Sequence, residues 1–282
     1  MGFVVLLFQL RFFKPLKTII RLSVTVLVLG FCVITPANSE KISFSICYED
    51  IENIPYYYGK GGSIPKKNPG LYIEILELVE KKLDLLISFH RAPWARCLRE
   101  LELNQVDGVL AASYSKSRVE FSNYPHVSGR VDKKRRLMNQ SYYLFRRIGS
   151  SASWNGKSFK NVNKIGAQIG YSIIDLLKEH RLVVAETSSV QRGLSLLQAG
   201  RIDGFATIKE IATSIIARHP DKYDQIELVK PALKTNSYYL VLGNTFYSKY
   251  SDLSETIWNE IAEIREKELT GLLIKYSHAL DP

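Results

Sequence analysis

The feature that most constrains the fold is a helix–turn–strand phrase that occurs twice in the chain. Residues 98–108 read Leu-Arg-Glu-Leu-Glu-Leu-Asn-Gln-Val-Asp-Gly, and residues 194–204 read Leu-Ser-Leu-Leu-Gln-Ala-Gly-Arg-Ile-Asp-Gly. In both copies closely spaced leucines indicate an amphipathic helix, and the Asp-Gly pair indicates a tight turn. A short apolar run that is typical of a buried strand follows each copy.

The segments before the phrase also correspond. Residues 70–78 (Gly-Leu-Tyr-Ile-Glu-Ile-Leu-Glu-Leu) are echoed by residues 170–177 (Gly-Tyr-Ser-Ile-Ile-Asp-Leu-Leu), and each segment leads into another apolar strand. The alternative is a chance recurrence, because helix–turn–strand units are common. We favour two similar α/β lobes in one chain, with a cleft between them where a small ligand would bind.

The hydrophobic pattern predicts two βαβαβ sets. The first set has strands at 42–48, 85–89 and 109–113 and helices at 71–83 and 93–103. The second has strands at 164–169, 182–185 and 202–207 and helices at 173–180, 190–199 and 210–218. Strands that alternate with helices of this length favour mostly parallel sheets.

Two apolar stretches, 137–146 and 226–242, predict crossings between the lobes that would act as a hinge. The expected organisation is residues 40–135 in lobe one, residues 136–235 in lobe two, and a return to lobe one over residues 236–282. Residues 252–278 are predicted to be helical and to form two helices.

The N-terminal residues 1–39 have the pattern of an export signal. Basic residues precede an apolar run at 22–34, and small residues at Ala37 and Ser39 indicate cleavage before Glu40. The run is shorter than the ~20 residues that span a bilayer, which disfavours a retained anchor. A lipid anchor at Cys32 is disfavoured by the bulky Phe31 before it.

Charge and cysteine content exclude several classes of function. Residues 1–39 contain four basic and no acidic residues, so cleavage lowers the formal net charge from +10 to +6. The basic cluster at 132–136 is interpreted as a solvated loop, because no aromatic–basic motif for nucleic acid accompanies it. Cys47 and Cys97 could form a disulfide or remain free thiols. No metal-ligand spacing is present, so neither a metal nor a cofactor is expected.

The mature chain resembles the periplasmic solute-binding proteins of the polar amino-acid type, the family 3 extracellular solute-binding proteins of ABC transporters. The resemblance is carried by the order of the export signal and motifs at 70–74 (Gly-Leu-Tyr-Ile-Glu), 113–122 (Ser-Tyr-Ser-Lys-Ser-Arg-Val-Glu-Phe-Ser), 170–172 (Gly-Tyr-Ser) and 200–204 (Gly-Arg-Ile-Asp-Gly). It implies a two-lobed, type II periplasmic-binding-protein-like α/β fold in the periplasm. It also implies a non-catalytic monomer that delivers an amino acid or small carboxylate to an inner-membrane ABC permease.

The same resemblance implies the ligand site. Arg118 would hold the ligand's carboxylate through paired charge-assisted hydrogen bonds. The alternative, which we favour less, is a surface arginine in a polar loop. The backbone N–H groups of Ala112, Ser113, Tyr171 and Ser172 would also bind the carboxylate. The aromatic side chains of Tyr57 and Trp94 would pack on the ligand, and Asp50 would meet a cationic side chain of the ligand. Core packing is the alternative role for Trp94, and helix capping is the alternative for Ser172.

One position departs from the family pattern. Where relatives have an aspartate for the ligand's ammonium group, this chain has Ile208. Either Glu210 replaces that aspartate, or the ligand is not an ordinary α-amino acid. Asp107 and Asp203, in the duplicated phrase, are interpreted as turn formers.

Two other functions remain open. One is a periplasmic dehydratase-like or lyase-like enzyme on the same scaffold, for which the acid–base candidates would be Glu49, Asp50, Glu210 and His126. The other is a ligand-sensing module that acts on a membrane receptor.

Overall fold

The computed structural model describes residues 41–277. Residues 1–39, which carry the predicted export signal, lie outside the described residues. Lobe one begins with β1 (Ser43–Glu49), α1 (Leu71–Leu83), β2 (Leu86–Ala92), α2 (Trp94–Glu102), β3 (Gly108–Ser113) and α3 (Lys116–Val119). Strand β1 pairs in parallel with both β2 and β3, as βαβ connections through α1 and α2 require.

Short elements then lead to the first crossing strand. They are β4 (Ser122–Asn123), the hairpin of β5 (His126–Val127) and β6 (Arg130–Val131), and a 3-10 helix at Lys133–Arg135. The crossing itself is β7 (Met138–Arg147). The basic cluster therefore lies partly on the 3-10 helix, where Arg135 is buried and donates to Asp132 rather than being solvated.

Lobe two repeats the pattern of lobe one. It contains β8 (Ser153–Trp154), β9 (Phe159–Lys160), β10 (Lys164–Gln168), α4 (Ile173–Glu179), β11 (Val183–Thr187), α5 (Val190–Gln198), β12 (Gly204–Ile208), α6 (Lys209–Arg218) and α7 (Pro220–Tyr223). Strand β10 pairs in parallel with β11 and β12, just as β1 pairs with β2 and β3.

The chain returns through β13 (Ile226–Gly243) and ends in α8 (Asn244–Lys249) and α9 (Ser251–Ser277). Strands β7 and β13 pair antiparallel and join the two parallel halves in the order β11-β10-β12-β7-β13-β3-β1-β2. The two lobes with two crossings agree with the fold class that the duplicated phrase predicts.

The prediction of two helices over residues 252–278 is wrong for the described part, since α9 is one continuous helix of 27 residues. No proline interrupts it. Gly271 costs a helix only about 1 kcal/mol relative to alanine, and α9 packs along α1. No helix in the described range is long and apolar enough to span a membrane.

The two aspartates of the duplicated phrase make equivalent hydrogen bonds. The Asp107 carboxylate accepts from the Ser45 N–H at 2.8 Å, and the Asp107 N–H donates to the Ser45 carbonyl. In lobe two the Asp203 carboxylate accepts from the Lys164 N–H at 2.8 Å, and its own N–H donates to the Lys164 carbonyl. Each aspartate thus fastens its turn to the first strand of its lobe, as expected for a turn former.

Of the two states left open for the cysteines, the structure contains the disulfide. Cys47 on β1 and Cys97 on α2 are fully buried and bonded, with their Cα atoms 5.5 Å apart. The bond ties the first strand of lobe one to the helix that begins with Trp94. It therefore fixes the relative position of β1 and α2, the elements that carry Glu49 and Trp94.

Candidate functional site

A small cavity lies where the lobes meet. Its volume of about 20 Å³ is room for about one water molecule. Residues of both lobes and of the crossing strands line it: Glu49, Asn53, Tyr57, Trp94, Ala111, Ser113, Arg118, Gln140, Tyr142, Tyr171, Ile208 and Tyr238. The lobes are therefore closed upon each other, and a ligand of several heavy atoms can enter only when they separate.

Direct hydrogen bonds hold the two lobes together around the cavity. The indole N–H of Trp94 donates to the carbonyl of Gly170 at 3.1 Å, and the Arg118 guanidinium donates to the same carbonyl at 2.7 Å. The hydroxyl groups of Ser113 and Ser172 lie 2.8 Å apart. Three side chains of lobe one, those of Trp94, Arg118 and Ser113, thus form hydrogen bonds with the loop before α4.

Glu49, the last residue of β1, brings a carboxylate to the cavity. The residue is 4 % exposed. Its carboxylate accepts from the Tyr171 hydroxyl at 2.9 Å and from the Gln168 side-chain amide at 2.5 Å, both in lobe two, and from the Tyr57 hydroxyl at 3.5 Å. Burial raises the pKa of Glu49 to about 7, although hydrogen bonds from Tyr171 and Gln168 oppose the rise.

Arg118, on α3, brings a cation to the same cavity. The side chain is buried and donates to the backbone carbonyl of Ser113 as well as to that of Gly170. Its guanidinium carbon lies 5.4 Å from the centre of the Trp94 ring, a cation–π arrangement. A guanidinium has five N–H donors, so these contacts orient it without using all of its donors.

The structure brings several of the sequence-predicted residues together at the cavity. They are Tyr57, Trp94, Ser113, Arg118 and Tyr171. The Tyr171 N–H is not free for a ligand, however, because it donates to the Gln168 carbonyl at 3.1 Å.

Two others lie beside the cavity rather than on its wall. Ala112 is buried in β3 behind Ala111, which lines the cavity instead. The side chain of Ser172 makes no cap hydrogen bond to α4, contrary to the capping alternative, and bonds to Ser113 and Asn236. Both predicted residues therefore lie at the site without lining its cavity.

Asp50 and Glu210 lie elsewhere. Asp50 lines a separate surface pocket together with Lys60 and Arg218. Glu210 is in the first turn of α6, partly buried, and does not line the cavity. Its charge adds to the burial that raises the pKa of Tyr56 to about 12, so this carboxylate faces a tyrosine of lobe one.

Ile208 does line the cavity, at the end of β12. The position where the family resemblance implies an aspartate therefore points at the site, but it presents a buried apolar side chain there. The chain's departure from that pattern is located in the cavity itself.

Six lining residues were missed as ligand contacts by sequence reasoning: Glu49, Asn53, Ala111, Gln140, Tyr142 and Tyr238. One signal for Glu49 was available, because ligands in α/β sheets bind outside the carboxyl ends of the strands, and Glu49 ends β1. The other signals are tertiary. Gln140 and Tyr142 share one face of β7, and that face meets the cavity only once β7 pairs with β12 and β13.

Comparison with known proteins places this geometry in a structural context. No protein-family model matches the chain, and no curated protein sequence matches it. Solved structures do match. A histidine kinase sensor domain with similarity to periplasmic binding proteins superposes with a TM-score of 0.66 at 15% identity, covering 84% of this chain and 96% of that chain.

Two binding proteins of transport systems have folds similar to that of this chain. The substrate-binding protein of an amino acid ABC transporter has a TM-score of 0.62 at 14% identity, covering 83% of this chain and 98% of that chain. A periplasmic binding protein of an arginine transport system from Legionella pneumophila has a TM-score of 0.63 at 17% identity, covering 84% of this chain and 100% of that chain. The prediction of the fold is confirmed: the chain has the two-lobed fold of periplasmic binding proteins.

Proposed function

We propose that this protein binds a small polar solute, an amino acid or a related carboxylate, by closing its two lobes around it. The observation that carries the proposal is the cavity between the lobes, where a buried carboxylate and a buried guanidinium meet aromatic side chains. Charged groups are rarely buried without partners, and binding sites are where such groups converge.

Closure supplies the binding mechanism. Lobe one holds Trp94 and Arg118, and lobe two presents the loop at Gly170 that both residues contact. A solute that touches both lobes binds the closed state better than the open one, and it shifts the population only by that difference in affinity. The two strands β7 and β13 are the proposed hinge.

We further propose that the protein works in the periplasm as a monomer and delivers its solute to an inner-membrane ABC permease. The likeness to two transporter-binding proteins supports this role. The likeness to a histidine kinase sensor domain supports a second candidate, a module that reports the solute to a membrane receptor. Both roles require the same binding step.

An enzyme is the weaker candidate because its acid–base residues are not brought together. Glu49 lies in the cavity, Asp50 lines another pocket, and His126 is in the β5–β6 hairpin. General acid–base catalysis needs such groups within hydrogen-bond reach of one reacting solute.

The test is a thermal-shift screen of the purified protein with amino acids, amines, small carboxylates and sugars, followed by calorimetric titration of each hit. A solute that binds the native state raises the melting temperature. For a hit, Trp94→Ala and Arg118→Ala should each weaken binding at least tenfold, because each removes a lining side chain and a contact between the lobes.

The matched control is Arg130→Ala, which removes an exposed arginine from β6. Binding should be unchanged in this variant. Equal affinity in wild type, Trp94→Ala and Arg118→Ala would show that the solute binds elsewhere, and no hit in the whole screen would contradict solute binding.

A further inference from the structure

We propose that lobe one contains a metal site that forms when the disulfide between Cys47 and Cys97 is reduced. The metal is a divalent cation of the Zn²⁺ class. Its ligands are two thiolates, one imidazole and one carboxylate: Cys47, Cys97, His90 and Glu100. This inference goes beyond the proposed solute binding, because the lining of the cavity between the lobes includes none of these residues.

Donor atoms from three of the ligands already lie together. The Cys47 sulfur, a ring nitrogen of His90 and a carboxylate oxygen of Glu100 lie within 4.8 Å of one another. The Cys97 sulfur joins them because it is bonded to the Cys47 sulfur. In a tetrahedral site with Zn–S of about 2.3 Å and Zn–N of about 2.0 Å, neighbouring donor atoms lie roughly 3–4 Å apart. Once the bond between the sulfurs is open, the cluster therefore needs only small side-chain movements to surround one ion.

The fold brings these donors together from three elements. Cys47 on β1 and His90 on β2 are register partners in a parallel pair, so their side chains lie on the same face of the sheet. Helix α2 packs on β1 and β2, and it carries Cys97 and Glu100 three positions apart on one of its faces. The set has no short spacing along the chain, so motif analysis of the sequence predicts no metal there.

The donor set determines the class of metal. Thiolates and imidazole are preferred ligands of Zn²⁺ and of similar transition metals, whereas Mg²⁺ and Ca²⁺ prefer oxygen ligands. Four protein donors also complete the tetrahedron of a structural zinc site, with no position left open for a substrate. The site is therefore expected to stabilise the lobe rather than to catalyse a reaction.

Glu100 is already oriented for this role. One of its carboxylate oxygens accepts a hydrogen bond from Nε of Arg96 at 2.7 Å, and the other lies 2.6 Å from Nε2 of His90. A metal ion can replace the contact with His90 while Arg96 continues to hold the first oxygen. Partners of this kind, which bind a ligand but not the metal, orient the ligand and adjust the metal affinity.

Burial and bonding make the site dependent on redox state. Both cysteines are fully buried, and the His90 side chain is 43 % exposed against 10 % for Glu100, so an ion enters from the side of His90. The sulfurs of a disulfide are not thiolates, and the thiolate is the form that binds metals. In the oxidised protein the cluster therefore offers only His90 and Glu100, and reduction supplies the two missing ligands.

The chemistry balances with a dithiol as the reductant. The dithiol gives two electrons and two protons to the disulfide, so that Cys47 and Cys97 become thiols and the dithiol itself becomes a disulfide. Zn²⁺ then binds the two thiolates, and two protons are released. The ion joins β1 to α2 in place of the disulfide, so it should restore stability that reduction removes.

The experiment is a titration of the reduced full chain with Co²⁺, which is coloured when thiolates hold it in a tetrahedral site, followed by displacement with Zn²⁺. Every sample carries Cys32→Ser, so that Cys47 and Cys97 are the remaining cysteines, and is purified without a histidine tag. The samples are reduced with dithiothreitol and desalted without oxygen. We expect one Co²⁺ per reduced chain, at least a hundredfold tighter binding than by the oxidised chain, and loss of the colour when Zn²⁺ is added.

The decisive variants keep both cysteines, so each can fold with its disulfide before it is reduced. His90→Ala and Glu100→Gln should each weaken Co²⁺ binding by the reduced chain at least tenfold. The matched controls are His126→Ala on β5 and Glu102→Gln on α2, which remove a histidine and a glutamate outside the cluster. Both controls should bind Co²⁺ as tightly as the unsubstituted chain does.

Thermal unfolding gives a second readout. Zn²⁺ should raise the melting temperature of the reduced chain and leave that of the oxidised chain unchanged. The site is overturned if the reduced chain binds no Co²⁺, if the oxidised chain binds it equally well, or if His90→Ala and Glu100→Gln both keep full affinity. A reduced chain that is unfolded and does not refold when Zn²⁺ is added would overturn it as well.

Discussion

At the scale of single residues, Glu49 brings a buried carboxylate to the cleft. Glu49 ends a strand of lobe one, yet its strongest hydrogen-bond partners, Tyr171 and Gln168, belong to lobe two. Its pKa is raised to about 7 by burial, which disfavours the charged form. The same residue therefore links the contacts between the lobes to the pH dependence of stability.

Because the folded-state pKa of Glu49 lies above its unfolded value near 4.5, the neutral form stabilises the fold. That contribution is fully present below pH 4.5 and is lost as the pH rises to about 7. The full change is about 3 kcal/mol. The measurement is denaturant unfolding of ligand-free wild type and Glu49→Gln between pH 4.5 and pH 8.

Wild type should lose stability relative to Glu49→Gln across this window, with little further change above pH 8. Glu49→Gln is the control for wild type, because glutamine has nearly the same size as glutamate but does not titrate. A constant difference between the two proteins at every pH would contradict a raised pKa.

At the scale of elements, the two lobes use the same local device. Asp107 fastens the turn before β3 to β1, and Asp203 fastens the turn before β12 to β10. Lobe one has an additional link, the disulfide between β1 and α2, which positions the elements that carry Glu49 and Trp94.

Replacing both cysteines, as in Cys47→Ala with Cys97→Ala, should lower the free energy of unfolding by about 4 kcal/mol, because the bond closes a loop with a sequence separation of 50. The measurement is urea denaturation of the purified variant, with reduced wild type as a second sample. Unchanged stability in both samples would show that the bond does not form in the protein.

At the scale of the whole molecule, closure is held by a small number of contacts. Besides the contacts at Gly170, an ion pair between Glu52 after β1 and Arg218 at the end of α6 bridges the lobes at the rim. Partly exposed ion pairs contribute up to about 1 kcal/mol, so this pair tunes the open–closed balance rather than deciding it.

Arg218→Ala should shift the ligand-free protein toward the open state. The radius of gyration from small-angle X-ray scattering should increase, and the apparent affinity for a bound solute should fall by up to about fivefold. Arg192→Ala, an exposed arginine on α5, is the matched control. A variant as compact as wild type, with equal affinity, would show that the rim pair plays no part in closure.

Local pattern was enough to predict most of the elements. The helix predicted at 71–83 is α1 (Leu71–Leu83), and the strands of both predicted βαβαβ sets pair in parallel, as expected. One departure was α9, where the pattern suggested two helices and the structure has one; the short strands β4, β5, β6, β8 and β9 were not predicted. Hydrophobic periodicity predicts a helix or strand wherever that element buries one of its faces in a core.

The site was less accessible from sequence because it depends on where a strand ends. Glu49 is the last residue of β1 and lines the cavity, whereas Asp50 follows the strand and lines another pocket, a difference of one position that no local pattern resolves. The duplicated phrase by itself determined two α/β lobes, since turn chemistry and amphipathic spacing are local. Only the tertiary structure decided which carboxylate enters the cleft, because that depends on strand register and on contacts between residues more than a hundred positions apart.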